Sequence, residues 1–104
     1  MQCVTVLYRN APDLRFDFDY YVRRHIPLIQ RVFGKGITRI ELRKCLSSPD
    51  GSPPDFLAVI SIWLGDPDAY QAGLARSQEL ISDVPNFTNG QPVIQIGDVV
   101  ASSP

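Results

Sequence analysis

Nine consecutive residues, Phe56 to Leu64 (FLAVISIWL), constrain the fold more than any other stretch of this chain. A strand points successive side chains to opposite faces, and this run is apolar on both alternations, so it belongs at the centre of a sheet covered on two sides. With 104 residues the chain has the length of a single domain, residues 1 to 104. Two helices on one face of a lone sheet leave its other face bare. The simplest cover for that face is another copy of the same chain, which makes a homodimer the first expectation.

The remaining segments supply the rest of such a sheet. Cys3 to Arg9 (CVTVLYR) is rich in β-branched and aromatic residues and stops at Asn10, Ala11, Pro12 and Asp13, which predicts a first strand. A helix is predicted from Asp17, whose carboxylate caps free N–H groups while Asp19 complements the positive helix end. Phe18, Tyr21, Val22, His25 and Ile29 follow at spacings of three and four, and Gly34 and Gly36 end the helix. Ile37 to Leu46 reads as a second strand, with Ile40, Leu42 and Leu46 on one face and Arg39, Glu41 and Arg43 on the other. A long Pro-, Ser- and Gly-rich connection, Ser47 to Asp55, leads to the central strand. Asp66 and Pro67 form a helix start, with Ala69, Tyr70, Leu74 and Ile81 as its apolar stripe. After a turn-rich loop from Val84 to Pro92, Val93 to Val100 is the last strand and Ala101 to Pro104 a frayed tail. This order gives an α+β fold of ferredoxin-like βαββαβ plan: a four-stranded antiparallel sheet with two helices on one face.

His25, the only histidine, stands two residues before Pro27 within the first helix. Proline has no N–H and its ring crowds the carbonyl of Arg23, so the helix is expected to kink or restart, with Ile26 pushed off helical angles. At such a bend, freed carbonyls and a helix C-terminus would favour the protonated imidazole. The helical spacing turns His25 toward the sheet. Cys3, Cys45 and the carboxylates have no spacing that ties them to it, so neither a covalent Cys–His or Ser–His–Asp mechanism nor a charge partner is readable.

A formal net charge of −1 with few clustered cations argues against nucleic acid. No apolar run approaches the ~20 residues needed to span a bilayer. The first ten residues lack the pattern of an export signal, so the expected location is the cytoplasm. Cys3 and Cys45 lack metal or redox spacing and are expected as buried small hydrophobes. Asp50 and Asp55 offer too few oxygens for a hard cation, and no metal is expected. Asn86, Phe87 and Thr88 match a glycosylation pattern that a cytoplasmic chain would never present for modification.

The runs FDFDYYVRRHIPLIQRVFG, VTVLYR and DVPNFTNGQPVIQIGDV resemble the EthD family of the dimeric α/β-barrel superfamily, most specifically in the FDxDYY start, the H-x-P-L segment at His25 to Leu28 and the PNFTN loop from Pro85 to Asn89. The resemblance implies a small homodimer whose sheets face each other, with a pocket between helix and sheet near His25. It also implies an association with ether or aromatic breakdown, among relatives that include cofactor-independent monooxygenases, cyclases, isomerases and decarboxylases.

The resulting expectation is an enzyme without metal or organic cofactor that acts on a small hydrophobic or aromatic molecule, with His25 as acid or base. Tyr8 would orient the substrate's oxygen, and Phe18, Tyr21, Trp63 and Phe87 would form the apolar wall. The alternative is a non-catalytic dimer that binds a hydrophobic metabolite or assists an oxygenase. A further alternative is a barrel that binds haem through His25.

Overall fold

Strand β1 (Gln2–Arg9) runs through the middle of the sheet, antiparallel to β3 (Phe56–Leu64) on one side and to β4 (Pro92–Asp98) on the other, while β2 (Ile37–Lys44) pairs antiparallel with the far side of β3. The strand order is therefore β2-β3-β1-β4. The structure, a computed structural model, describes residues 1–104. The apolar run Phe56–Leu64 is central, as its two-sided hydrophobicity requires.

Register assigns each side chain to a face. Val4 lies opposite Ile62, Val6 opposite Ile60 and Tyr8 opposite Ala58, and these pairs form the face on which the helices pack. Ala58, Ile60, Ile62 and Leu64 are buried there, each large aliphatic chain contributing roughly 1.5–3 kcal/mol through removal from water. The other face carries Cys3, Thr5, Leu7, Val59, Ser61 and Trp63, none of which joins the core cluster. Both cysteines are free and only partly buried.

The first helical segment begins as predicted. Asp17 caps α1 (Phe18–Tyr20), accepting the Tyr20 N–H at 2.9 Å. Of the two outcomes expected at Pro27, a kink or a restart, the helix restarts, although Ile26 is not pushed off helical angles. A widened π turn over Tyr21–His25 leads directly into α2 (Ile26–Phe33), with Pro27 in its first turn and Ile26 at ordinary helical angles of φ −58° and ψ −48°. The Ile26 N–H donates to the Tyr21 carbonyl, one residue further back than in an α-helix. That extra residue opens the turn facing the proline ring, so the chain stays helical past it. Gly34 ends α2 at φ 63°, a conformation that suits glycine.

Strand β2 stops at Lys44, two residues before the predicted end, and Leu46 is exposed beyond the last pairing. The second helix is two: α3 (Pro67–Leu74), capped by Asp66, and α4 (Ser77–Asp83). The interruption follows Gly73, where α3 comes so close to α2 that a Cβ on Gly73 would overlap the Phe33 ring. Leu74 and Ile81, read as core stripe, are instead 45 % and 59 % exposed, because the broken helix turns them to the rim of a cleft. The last strand spans Pro92–Asp98, shorter than the predicted Val93 to Val100.

Candidate functional site

An apolar cavity of about 260 Å3 lies between the helices and the sheet, with Ile62 of β3 and Tyr70 and Leu74 of α3 in its lining. From β1 come Val4, Val6 and Tyr8, from the first helical segment Tyr21, His25, Ile29 and Phe33, from α4 and the turn after it Leu80, Ile81 and Val84, and from β4 Ile94. Its volume lies just below the usual range for small-molecule pockets, ~300–1,000 Å3.

The His25 ring is 5 % exposed and is packed between Tyr21 and Phe87, with ring centroids 4.8 and 4.7 Å away. Its Nδ1 lies 2.8 Å from Asp83 Oδ2. Asp83 also accepts the Tyr20 hydroxyl at 2.6 Å and the Asn86 side-chain N–H at 3.0 Å. Desolvation raises the carboxyl's pKa, but the three donors outweigh it and hold the group below its ordinary value, as a carboxylate. An ionised carboxylate only accepts, so Nδ1 carries the imidazole proton and Nε2, which has no partner in the chain, presents its lone pair on the cavity side.

Burial lowers the His25 pKa, and the hydrogen bond and charge of Asp83 only partly oppose it. The protonated form expected from a helix break is therefore disfavoured. The π turn leaves no helix C-terminus at His25, and the apolar walls penalise the cation. A neutral imidazole with its lone pair toward a cavity is the form that accepts a proton.

Tyr8 and Tyr21 line the same cavity and are each only 2 % exposed, yet neither hydroxyl bonds within the chain. Desolvation raises the pKa of both, Tyr8 to about 12, so both phenols stay protonated as donors. Phe87 lies behind the imidazole, 4.9 Å from Tyr21 and 6.1 Å from Tyr8, and supports the site from outside the cavity lining. Phe18 does not reach the cavity. Its ring packs tilted against Phe16, centroids 4.6 Å apart, with the Lys44 ammonium over its ring. Trp63 is on the opposite face of the sheet, under the Arg39 guanidinium, because its place in β3 is odd relative to Ile62 and Leu64. Of the six side chains expected at one site, Tyr8, Tyr21 and His25 line it, Phe87 backs it, and Phe18 and Trp63 stand apart.

Asp83, Tyr20 and Asn86 were not readable as site residues, since 58 positions separate Asp83 from His25. The signal nearest to them is the PNFTN loop. Phe87 accepts the Asp17 N–H, Thr88 donates to the Arg15 carbonyl at 2.6 Å, and Asn89 bonds the backbone of Asp13 and Arg15. These contacts fix the loop against the start of the first helix and bring Asn86 to Asp83. No three His, Cys, Asp or Glu side chains converge as metal ligands would.

A family model, the EthD domain, matches residues 13–91. An uncharacterised 11.0 kDa protein from the thcB–thcC intergenic region of Rhodococcus erythropolis is 30 % identical over 92 residues, covering 86 % of each chain. The solved structure of an EthD-like protein from Ralstonia eutropha JMP134 superposes with a TM-score of 0.88 at 30 % identity, covering 98 % of this chain and 94 % of that one. SnoaB, a cofactor-independent oxygenase from Streptomyces nogalater, shares the fold at a TM-score of 0.58 and 14 % identity, over 99 % of this chain and 95 % of its own.

Proposed function

We propose, from the premise that this chain belongs to the EthD family, that it is a cofactor-independent enzyme in which His25 takes a proton from a small hydrophobic substrate. One observation carries the reading: a buried neutral imidazole, tied through Nδ1 to a carboxylate, turns Nε2 to an apolar cavity. A base of this kind removes a proton from a phenol, an enol or a carbon beside a carbonyl, leaving an electron-rich oxyanion. The hydroxyls of Tyr8 and Tyr21, on side chains that line the same cavity, would donate hydrogen bonds to that oxygen, a stabilisation that strengthens in a dry cavity. Isomerisation, ring closure and reaction with dioxygen proceed from such an anion, and decarboxylation produces one. The association with ether and aromatic breakdown that the resemblance implies supports a substrate among apolar compounds of that kind.

The working unit proposed is a homodimer. The outer sheet face, apolar at Leu7, Leu57, Val59 and Trp63, carries no helix of this chain, and a second copy would cover it.

Deuterium exchange at the carbons beside the carbonyl of 2-tetralone, followed by NMR, tests the proton-transfer step. Wild-type protein should accelerate exchange, and His25→Gln should lose a factor of about 10²–10⁴ while binding is largely kept. Binding without any acceleration would overturn the enzyme reading and leave a ligand-binding dimer.

A further inference from the structure

The fully buried polar groups of the cavity, Tyr8, Tyr21 and His25, are gathered at one end. Along the first helical segment Tyr21, His25, Ile29 and Phe33 follow one another at single-turn intervals, two polar tips and then two hydrocarbon side chains. Strand β1 runs the opposite way and shows the same gradient, from the Tyr8 hydroxyl to Val6 and Val4. On the third wall Asp83 holds His25 at the end of α4, Leu80 lies one turn before it, and Ser77 starts the same helix. Tyr70 and Ser77 are the polar side chains at the far end, and both are partly exposed to solvent.

From His25 to Phe33 the helix advances eight residues, roughly 12 Å. Phe33 closes that distance against Gly73 and stands 6.5 Å from Tyr70, ring centroid to ring centroid. Leu74, Ile81 and Ile94 line the cavity and still meet solvent, so the opening is rimmed with aliphatic groups. A compact aromatic molecule would fill the polar end and leave the hydrocarbon trough beyond it in contact with water.

We infer that the ligand of this cavity is an amphiphile, a phenol or enol head seated between His25, Tyr8 and Tyr21 and joined to an aliphatic tail that runs along Ile29, Val4 and Phe33 toward Leu74. The inference rests on the proposed role of His25 as the base of the site and adds the tail as the element that sets affinity. The head supplies the proton and its oxygen accepts from the tyrosines. Two walls, the first helical segment and β1, that lose polarity in the same direction leave one orientation for such a molecule.

Titration of the protein with phenol, para-ethylphenol, para-butylphenol and para-hexylphenol, read on the ring signals of the single histidine and by calorimetry, separates the two parts. Every member should shift the His25 signals, and each methylene should tighten binding by about three- to fourfold until the trough is filled. Leu74→Asp, at a half-exposed position, should flatten that gain for the longer members. Affinity that does not change with tail length, with His25 still shifted, overturns the amphiphile while leaving the base intact. Affinity that rises with tail length without any shift at His25 overturns the seated head, and with it the reading of His25 as the group that meets the ligand.

Discussion

His25 illustrates how a single side chain's environment decides its chemistry. The helical spacing turns it inward, and burial then removes the proton that the spacing alone would have let it keep. Because the folded imidazole protonates less readily than the unfolded one, the unfolded state binds more protons as pH falls through the ordinary value of 6.5. Stability should therefore decline with acid from about that pH until the folded-state group also protonates. The depressed Asp83 carboxyl acts in a separate window. Its contribution is present above 3.8 and is lost only as pH falls through its lower folded value. Asp83→Asn should drop the His25 pKa further, since the partner that opposes desolvation is gone, and should cost about 1–3 kcal/mol for the hydrogen bonds left unsatisfied. It should also release the tautomer, because an amide can donate as well as accept. Nitrogen-15 shifts of the one imidazole read both effects, and an unchanged pKa and tautomer would remove Asp83 from the site's electrostatics. That His25 faces inward was legible in the sequence. That Asp83 meets it was not, because only tertiary packing joins residues so far apart.

At the level of elements, local signals that depend on near neighbours were legible. Asp17 and Asp66 cap their helices, and Pro67 opens α3. Two readings failed where one element responds to another. Ile26 was expected to leave helical angles before Pro27, but a π turn precedes it and α2 restarts there with Ile26 still helical. The stripe containing Leu74 and Ile81 assumed one continuous helix, whereas the close approach of Gly73 to Phe33 is followed by a break between α3 and α4. Gly73→Ala tests that contact, because the added methyl would overlap the Phe33 ring unless one of them moves. Chemical denaturation should show a loss of about 1–3 kcal/mol, as for other overpacked sites. A displaced Phe33 would also crowd the far end of the cavity, so long-tailed phenols should suffer more than short ones. A loss of stability with no change in that series would separate the helix contact from the cavity.

Across the whole molecule, the apolar run Phe56–Leu64 foretold more than its own secondary structure, because its two faces have different fates. Ala58, Ile60, Ile62 and Leu64 vanish into the core, whereas Leu57, Val59 and Trp63 line a sheet surface on which no helix rests. The outer face is not uniformly greasy. Glu41 pairs with Arg39 at 2.8 Å and Arg43 at 3.3 Å along its β2 edge, so a partner sheet would meet apolar surface at the centre and charge at the side. Val59 sits at that centre, between Leu7 of β1 and Arg43 of β2. Val59→Arg would place a second cation beside Arg43 in the middle of the joined sheets. Val59 is only 9 % exposed within one chain, though it lies outside the cluster under the helices, so circular dichroism and a melting curve must first show that the variant folds. Light scattering should give twice the chain mass for the wild type and a single, folded chain for the variant. Trp63, the only tryptophan, lies on the same face and should shift its emission to the red as the interface opens. A variant that stays dimeric with unshifted emission would place the contact on another surface, and a monomeric wild type would leave the apolar half of the sheet facing water.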